Sequence, residues 1–263
     1  MAAEDAHILA PPGTQSPKVT IAPHRAIYDM TLASVRNGSN ISDVSGKMLF
    51  EWTDVCDGWA IQQHLKMHFN YAEGEDSEVS STELSWESKD GTHFKFNVHR
   101  VTDGKENEVY RGTATSDTTG NADYTAPDAH KTVLPPGTLF PSAHTIQIIQ
   151  KAESNEKFFT RRVFDGADKD GMSDVSVFID PTDTKPVDVK LSDDIKNNPL
   201  LGQPAWPVRM AFFKPDSETG EPDYEMDLGL SANGVAKYMR IDYGDFAVLG
   251  TLSAIEPLPP CAQ

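Results

Sequence analysis

The chain has 263 residues, with 40 Asp and Glu against 23 Lys and Arg, for a net charge of −17. That balance excludes nucleic acid as a partner, because phosphate binding needs clustered cations, and it excludes electrostatic docking on anionic lipid. Hydrophobic residues make up 38% and aromatics 9%, enough for one large core. No apolar run approaches the roughly 18 residues of a membrane-crossing helix.

Residues 1–23 read as a disordered leader: APPGTQSPK is rich in turn residues and has no periodicity. Met1–Ile8 (MAAEDAHI) is acidic and has no hydrophobic stretch, so it is not a signal peptide. Order is expected from His24. Arg25–Val35 alternates, and Asn37-Gly38 ends it. Ser45–Val55 follows, with Met48, Phe50 and Trp52 on one face. Trp59–Tyr71 gives the cleanest pattern. Trp59, Ile61, Leu65, Met67, Phe69 and Tyr71 share one face, with Gln63 the exception, against Gln62, His64, Lys66, His68 and Asn70 on the other. Period two over this length means a half-buried strand, long against a usual five or six residues or so, and long strands suit a curled sheet or barrel.

Leu84–Trp86 lies in another strand, and Asp90-Gly91 turns it into an alternating Phe94, Phe96 and Val98. Asp103-Gly104 turns again into Val109–Thr115. Leu134–Pro141 (LPPGTLFP) is irregular and delivers the chain to Ser142, a good N-cap, and to one helix, Ala143–Glu153. A short helix with so narrow an apolar stripe plugs or covers a sheet. Lys157–Phe164 and the alternating Val175, Val177 and Ile179 resume the strands. A soluble connection spans Asp180–Pro204. Val208–Lys214 pairs with Tyr224–Leu230 across Pro215–Asp223, and Val235–Asp242 with Phe246–Ile255 across Tyr243-Gly244-Asp245. The expected architecture is all-β and antiparallel, with roughly a dozen strands and one helix. Residues 24–263 form a single domain, unless two β halves meet near Pro181–Pro204.

The two cysteines, Cys56 and Cys261, allow either free thiols or one disulfide. The Pro-rich end around Cys261 would be ordered only by a tie, which favours the disulfide. A disulfide without a signal peptide suggests a mature exported chain, with Met1 an addition. His64 and His68 would make a zinc pair on a helix, but on a strand they stand about 13 Å apart. Asp165–Asp174 (DGADKDGMSD) resembles a calcium loop but fails the EF-hand pattern at its first and twelfth positions, Gly166 and Val177. It reads as a turn with solvated charge. There is no Gly-x-Ser-x-Gly elbow and no phosphate loop, so neither catalytic residues nor a cofactor can be assigned. Trp52, Trp59, Trp86 and Trp206 are either ordinary core or the lining of a cavity for an apolar ligand.

Taken in order, several segments resemble one family, the periplasmic cell-envelope integrity proteins of α-proteobacteria typified by EipB. They are APHRAIYDMTL (Ala22–Leu32), FEWTDVCDGWAIQQ (Phe50–Gln63), YRGTA (Tyr110–Ala114), LPPGTLFPSAHT (Leu134–Thr145), FDG (Phe164–Gly166), WPVRMAFF (Trp206–Phe213) and ANGVAKYMRIDYGDFAVLGTL with its Pro-rich Cys end. The resemblance implies a β-spiral of roughly fourteen strands with an associated helix, a signal removed on export, and a disulfide between Cys56 and Cys261. It also implies a role in envelope stability under stress, with no established catalysis. A lipid-like or peptide ligand and a periplasmic protein partner are compatible with it, and a monomer is expected. The alternatives are a hydrolase of envelope glycan or lipid and a scaffold using an exposed sheet edge.

Overall fold

The computed structural model describes residues 19–180, 191–215 and 220–262. The leader residues 1–18 and parts of two connections, 181–190 and 216–219, lie outside the described residues. The first eight strands are β1 (His24–Val35), β2 (Ile41–Asp54), β3 (Gly58–Tyr71), β4 (Ser77–Ser88), β5 (His93–Thr102), β6 (Lys105–Thr115), β7 (Gly120–Ala126) and β8 (His130–Leu134). Helix α1 (Pro141–Glu153) follows. Then come β9 (Phe158–Phe164), β10 (Met172–Ile179), β11 (Ala205–Phe213), β12 (Tyr224–Ser231), β13 (Ala236–Asp242) and β14 (Phe246–Pro257).

All fourteen belong to one antiparallel, nearly closed barrel-like sheet, ordered β8-β7-β6-β5-β4-β3-β2-β1-β14-β13-β12-β11-β10-β9. The all-β curled sheet with one helix is therefore the observed fold. Two meanders meet where β1 pairs β14, and the two edges are β8 and β9, consecutive along the chain but joined through α1. Hairpin chemistry explains the meander. At Asp103-Gly104 both residues take positive φ (52° and 73°), the turn whose twist matches its flanking strands.

Strand alternation sets the buried face. Trp52 stands opposite Ile61, Phe50 opposite Gln63, and Met48 opposite Leu65, all on that face. Three apolar clusters fill it. One gathers Trp52, Trp59, Ile148, Ile149, Val175, Val177 and Ile179 around the helix. The second lies along β1, β2 and β14, and the third stacks Phe94, Phe96, Phe140 and Phe164.

The structure departs from the sequence reading in four places. Ile21, assigned to the leader, is 4% exposed and packs in the cluster around Trp52, and Ala22 N donates to Asn233 O at 3.0 Å, so packing starts ahead of His24. Strands β7 and β8 went unread because their only inward apolar residues are Ala122, Tyr124 and Leu134. The helix begins at Pro141, and Ser142 is not its N-cap: Phe140 holds that position and makes no side-chain cap bond. The connection after Asp180 is more than a solvated link, since Ile195 and Leu201 are buried and Asn198 Nδ2 donates to Ile255 O at 3.0 Å.

Candidate functional site

The tryptophans do not share one cavity. Trp52 and Trp59 meet edge to face at 5.9 Å and pack with the helix, and Trp206 is partly buried against the same cluster. Trp86 takes the opposite face, because the side chain of its neighbour Glu87 is the buried one. Its indole lies outside, with Lys95 Nζ 5.0 Å from the ring centroid. Lys89 Nζ closes the rim of the inner cluster, 2.9 Å from the Trp59 centroid and from Asp54 Oδ1.

Glu87 ties the helix to the sheet. It is 2% exposed, and its two carboxylate oxygens accept from the N–H groups of Ser142 and Ala143 at 2.7 Å each. These are first-turn donors with no intrahelical partner, at the positive end of the helix dipole. A carboxylate from a strand more than fifty residues upstream supplies the cap that local sequence does not. Burial raises its pKa to about 7, against the lowering effect of those hydrogen bonds. His144, the next residue along the helix, is pushed down to about 4 by burial and then by Arg161, so it stays neutral.

A band of charge crosses the buried face above the apolar clusters. Arg100 donates to Glu108 at 2.6 Å and to Glu83 at 3.5 Å, and Ser81 Oγ donates to Glu83 at 3.2 Å. Asp165 approaches from the β9–β10 turn. Burial, with the Glu83 and Asp168 charges adding, raises its pKa to about 6, although it accepts from Ala167 N. Facing this band is a chain of rings. Phe212 and Tyr224 stack at 4.3 Å, Tyr243 and Phe246 at 5.1 Å, and Phe246 meets Phe69 edge-on at 6.1 Å. Burial raises the Tyr224 and Tyr243 pKa values, and the Glu83 charge adds to the rise in both. Sequence reasoning missed this band. Its signal was Gln63, the polar exception on the apolar face of β3, which pairs with Glu83, while Leu65, Ser81, Arg100 and Glu108 line the next register row.

The remaining candidates have structural roles. Cys56 and Cys261 form a disulfide with Cα atoms 5.2 Å apart, spanning 205 residues. His64 bonds Thr82 (3.0 Å) and His68 faces Glu78 (3.0 Å), four residues apart on the outer face of β3. In the acidic turn, Asp168 Oδ1 accepts from Asp170 N and Gly171 N at 2.7 and 2.6 Å, and its backbone accepts from Tyr124 Oη at 3.0 Å. His130 Nε2 lies 3.1 Å from Lys169 O. The turn is thus strapped onto β7 and β8. Among the described residues no three His, Cys, Asp or Glu are grouped to hold a metal, and no helix is long and apolar enough to cross a membrane.

One antiparallel sheet curled past a helical plug, tied by a disulfide between its first meander and its tail, defines a barrel-like β protein. A family model described as EipB-like matches residues 15–259, and the chain belongs to that family. It is 28% identical over 246 residues to the cell envelope integrity protein EipB of Brucella abortus (strain 2308), covering 90% of this chain and 85% of that protein. A crystal structure of a β-barrel-like protein from Brucella abortus, a domain of unknown function, superposes with a TM-score of 0.83 at 27% identity. That match covers 92% of this chain and all of the other.

Proposed function

We propose that this protein is a non-enzymatic component of the bacterial periplasm that maintains cell-envelope integrity under stress, acting as a monomer through residues 24–263 as one unit. The observation that carries the reading is the match over 90% of the chain to a protein named for envelope integrity. The disulfide supports an oxidising compartment, since such bonds persist outside the cytosol. The ring chain and the Arg100 band offer apolar and charged contacts that suit a ligand with an apolar body and a polar end, such as a lipid-like molecule or a peptide.

The test is genetic. A strain lacking the gene becomes sensitive to detergent and to cell-wall inhibitors, and the exported wild-type protein restores resistance. A form denied export does not restore it. A triple variant, Glu83→Gln, Glu108→Gln and Asp165→Asn, separates the readings. Full complementation fits the non-enzymatic role. A folded triple variant that fails, beside a wild-type protein that turns over envelope glycan or lipid, would establish the hydrolase instead.

A further inference from the structure

A groove of about 510 Å³ lies on the outward face of β4, β5 and β6. Two register rows build it. Leu84 stands beside Asn97 and Arg111, and Trp86 beside Lys95 and Thr113. Leu84 is 38% exposed, a large apolar side chain left uncovered in the middle of the sheet. The indole beside it has a fixed pose. Gly58 on β3 leaves room for it, since a side-chain carbon built there would lie 2.6 Å from the indole. Lys95 Nζ rests over the ring, and Arg111 Nε donates to Asn97 Oδ1 at 3.4 Å.

Two features identify an occupant. The chain has 40 acidic residues to 23 basic, yet the groove is lined by Lys95 and Arg111 and by no carboxylate. It is a cationic spot on an anionic protein, and its electrostatic complement is an anion. The strands beneath it are all internal to the sheet, and the rows that build the groove are paired on both sides. A peptide therefore cannot add as a strand and loses its main source of affinity there. What the groove offers is side chains alone: a flat indole, a leucine, hydroxyl and amide groups, and two cations. A sugar ring has one apolar face and a hydroxyl rim, and an acidic sugar adds the charge.

We propose that the groove around Trp86 binds an anionic glycan. A pyranose face stacks on the indole and Leu84, Asn97 and Thr113 bond its hydroxyls, and Lys95 and Arg111 bind its carboxylate. This goes beyond the envelope reading and does not depend on it.

The test is calorimetric titration with an oligogalacturonate, a neutral cello-oligosaccharide and polyglutamate. The expected result is binding of the oligogalacturonate at least ~10-fold tighter than of either other probe. Trp86→Ala weakens it by ~10-fold or more while Trp86→Phe retains it, and Lys95→Gln with Arg111→Gln removes the preference over the neutral sugar. Should Trp86→Ala not fold, Lys95→Glu carries the same test, because charge reversal must abolish binding. The proposal is overturned if the oligogalacturonate does not bind, if a folded Trp86→Ala binds as well as wild type, or if polyglutamate binds equally. The last result would mean that only charge is read.

Discussion

The sheet is closed in two places by different means. Where β1 meets β14, the chain's first and last strands run a backbone ladder from His24–Pro257 to Val35–Phe246. At the other closure β8 and β9 do not pair. Leu139 makes one parallel bridge to β9, donating to Arg162 O and accepting from Phe164 N at 2.9 Å each. Glu87 holds the helix, and Tyr124 and His130 hold the acidic turn. The first closure is built from repeated main-chain bonds, the second from the two main-chain bonds of Leu139 and a few side chains. A ladder loses one bond at a time, whereas each side chain of the seam acts alone. The seam is where the barrel opens first.

The disulfide gives the largest test of the ladder side. Closing a 205-residue loop removes about 5 kcal/mol of chain entropy from the unfolded state, an upper-end figure. Cys56→Ser lowers the melting temperature, and hydrogen exchange rises in the Leu258–Ala262 tail before it rises in β14. If β14 loosens together with the tail, the bond and not the ladder holds that closure, and the contrast drawn above is wrong.

Glu87→Ala is the next largest and strikes the seam. It leaves two buried helix N–H groups without an acceptor, for a loss of about 2–3 kcal/mol. Exchange should accelerate in α1 and β9 but not in β1 or β14. The same residue makes a pH prediction. Its folded pKa, about 7, lies above the ordinary 4.5, so between those values the folded state holds the proton more tightly. The stability this contributes is present below about 4.5 and lost as pH rises through 7. Measured against Glu87→Gln, the wild type therefore gains stability on acidification from pH 8 to pH 5. A constant difference between the two across that range contradicts it. His144, held neutral in the fold and depressed to about 4, works oppositely between 6.5 and 4, so the difference between variants, and not the wild-type curve, carries the signal.

These two closures were not equally legible. The ladder strands announce themselves through the alternation of Ala26, Tyr28 and Met30 on one face, and through turn glycines, Gly38 and Gly244, with positive φ. The seam depends on partners far apart along the chain: Glu87 with Ser142, and Tyr124 with Asp168. No local pattern encodes those. The site divides similarly. Trp52, Trp59 and Trp206 carried a real apolar signal and do pack together, whereas Trp86 differs from them only by strand parity, which requires knowing the register. The Arg100 band showed only as an anomaly at Gln63. A polar residue breaking an apolar face is the trace that a buried polar row leaves in a sequence.

Tyr124→Phe tests the seam more gently. It removes the bond to Asp168 O and keeps the ring between Phe96 and His130, so the loss is about 1 kcal/mol. Exchange rises in Asp165–Gly171 alone. Calcium or a chelator leaves both proteins' melting temperatures unchanged, because Asp168 Oδ1 already accepts from two backbone N–H groups; stabilisation by calcium would revive the metal reading of that turn.

The smallest expected effect returns to the ladder half. His68→Ala on the exposed face of β3 removes a 3.0 Å contact with Glu78, between side chains that are 56% and 38% exposed, and Glu78 also meets Lys66. Such a pair contributes no more than about 0.5 kcal/mol, so the melting temperature should hardly move, with or without zinc. The argument is quantitative: if one exposed histidine on β3 mattered as much as Tyr124 at the seam, stability on the ladder side would not rest on backbone pairing. A His68→Ala shift comparable to that of Tyr124→Phe, measured in the same buffer at neutral pH, would erase the distinction between the two closures.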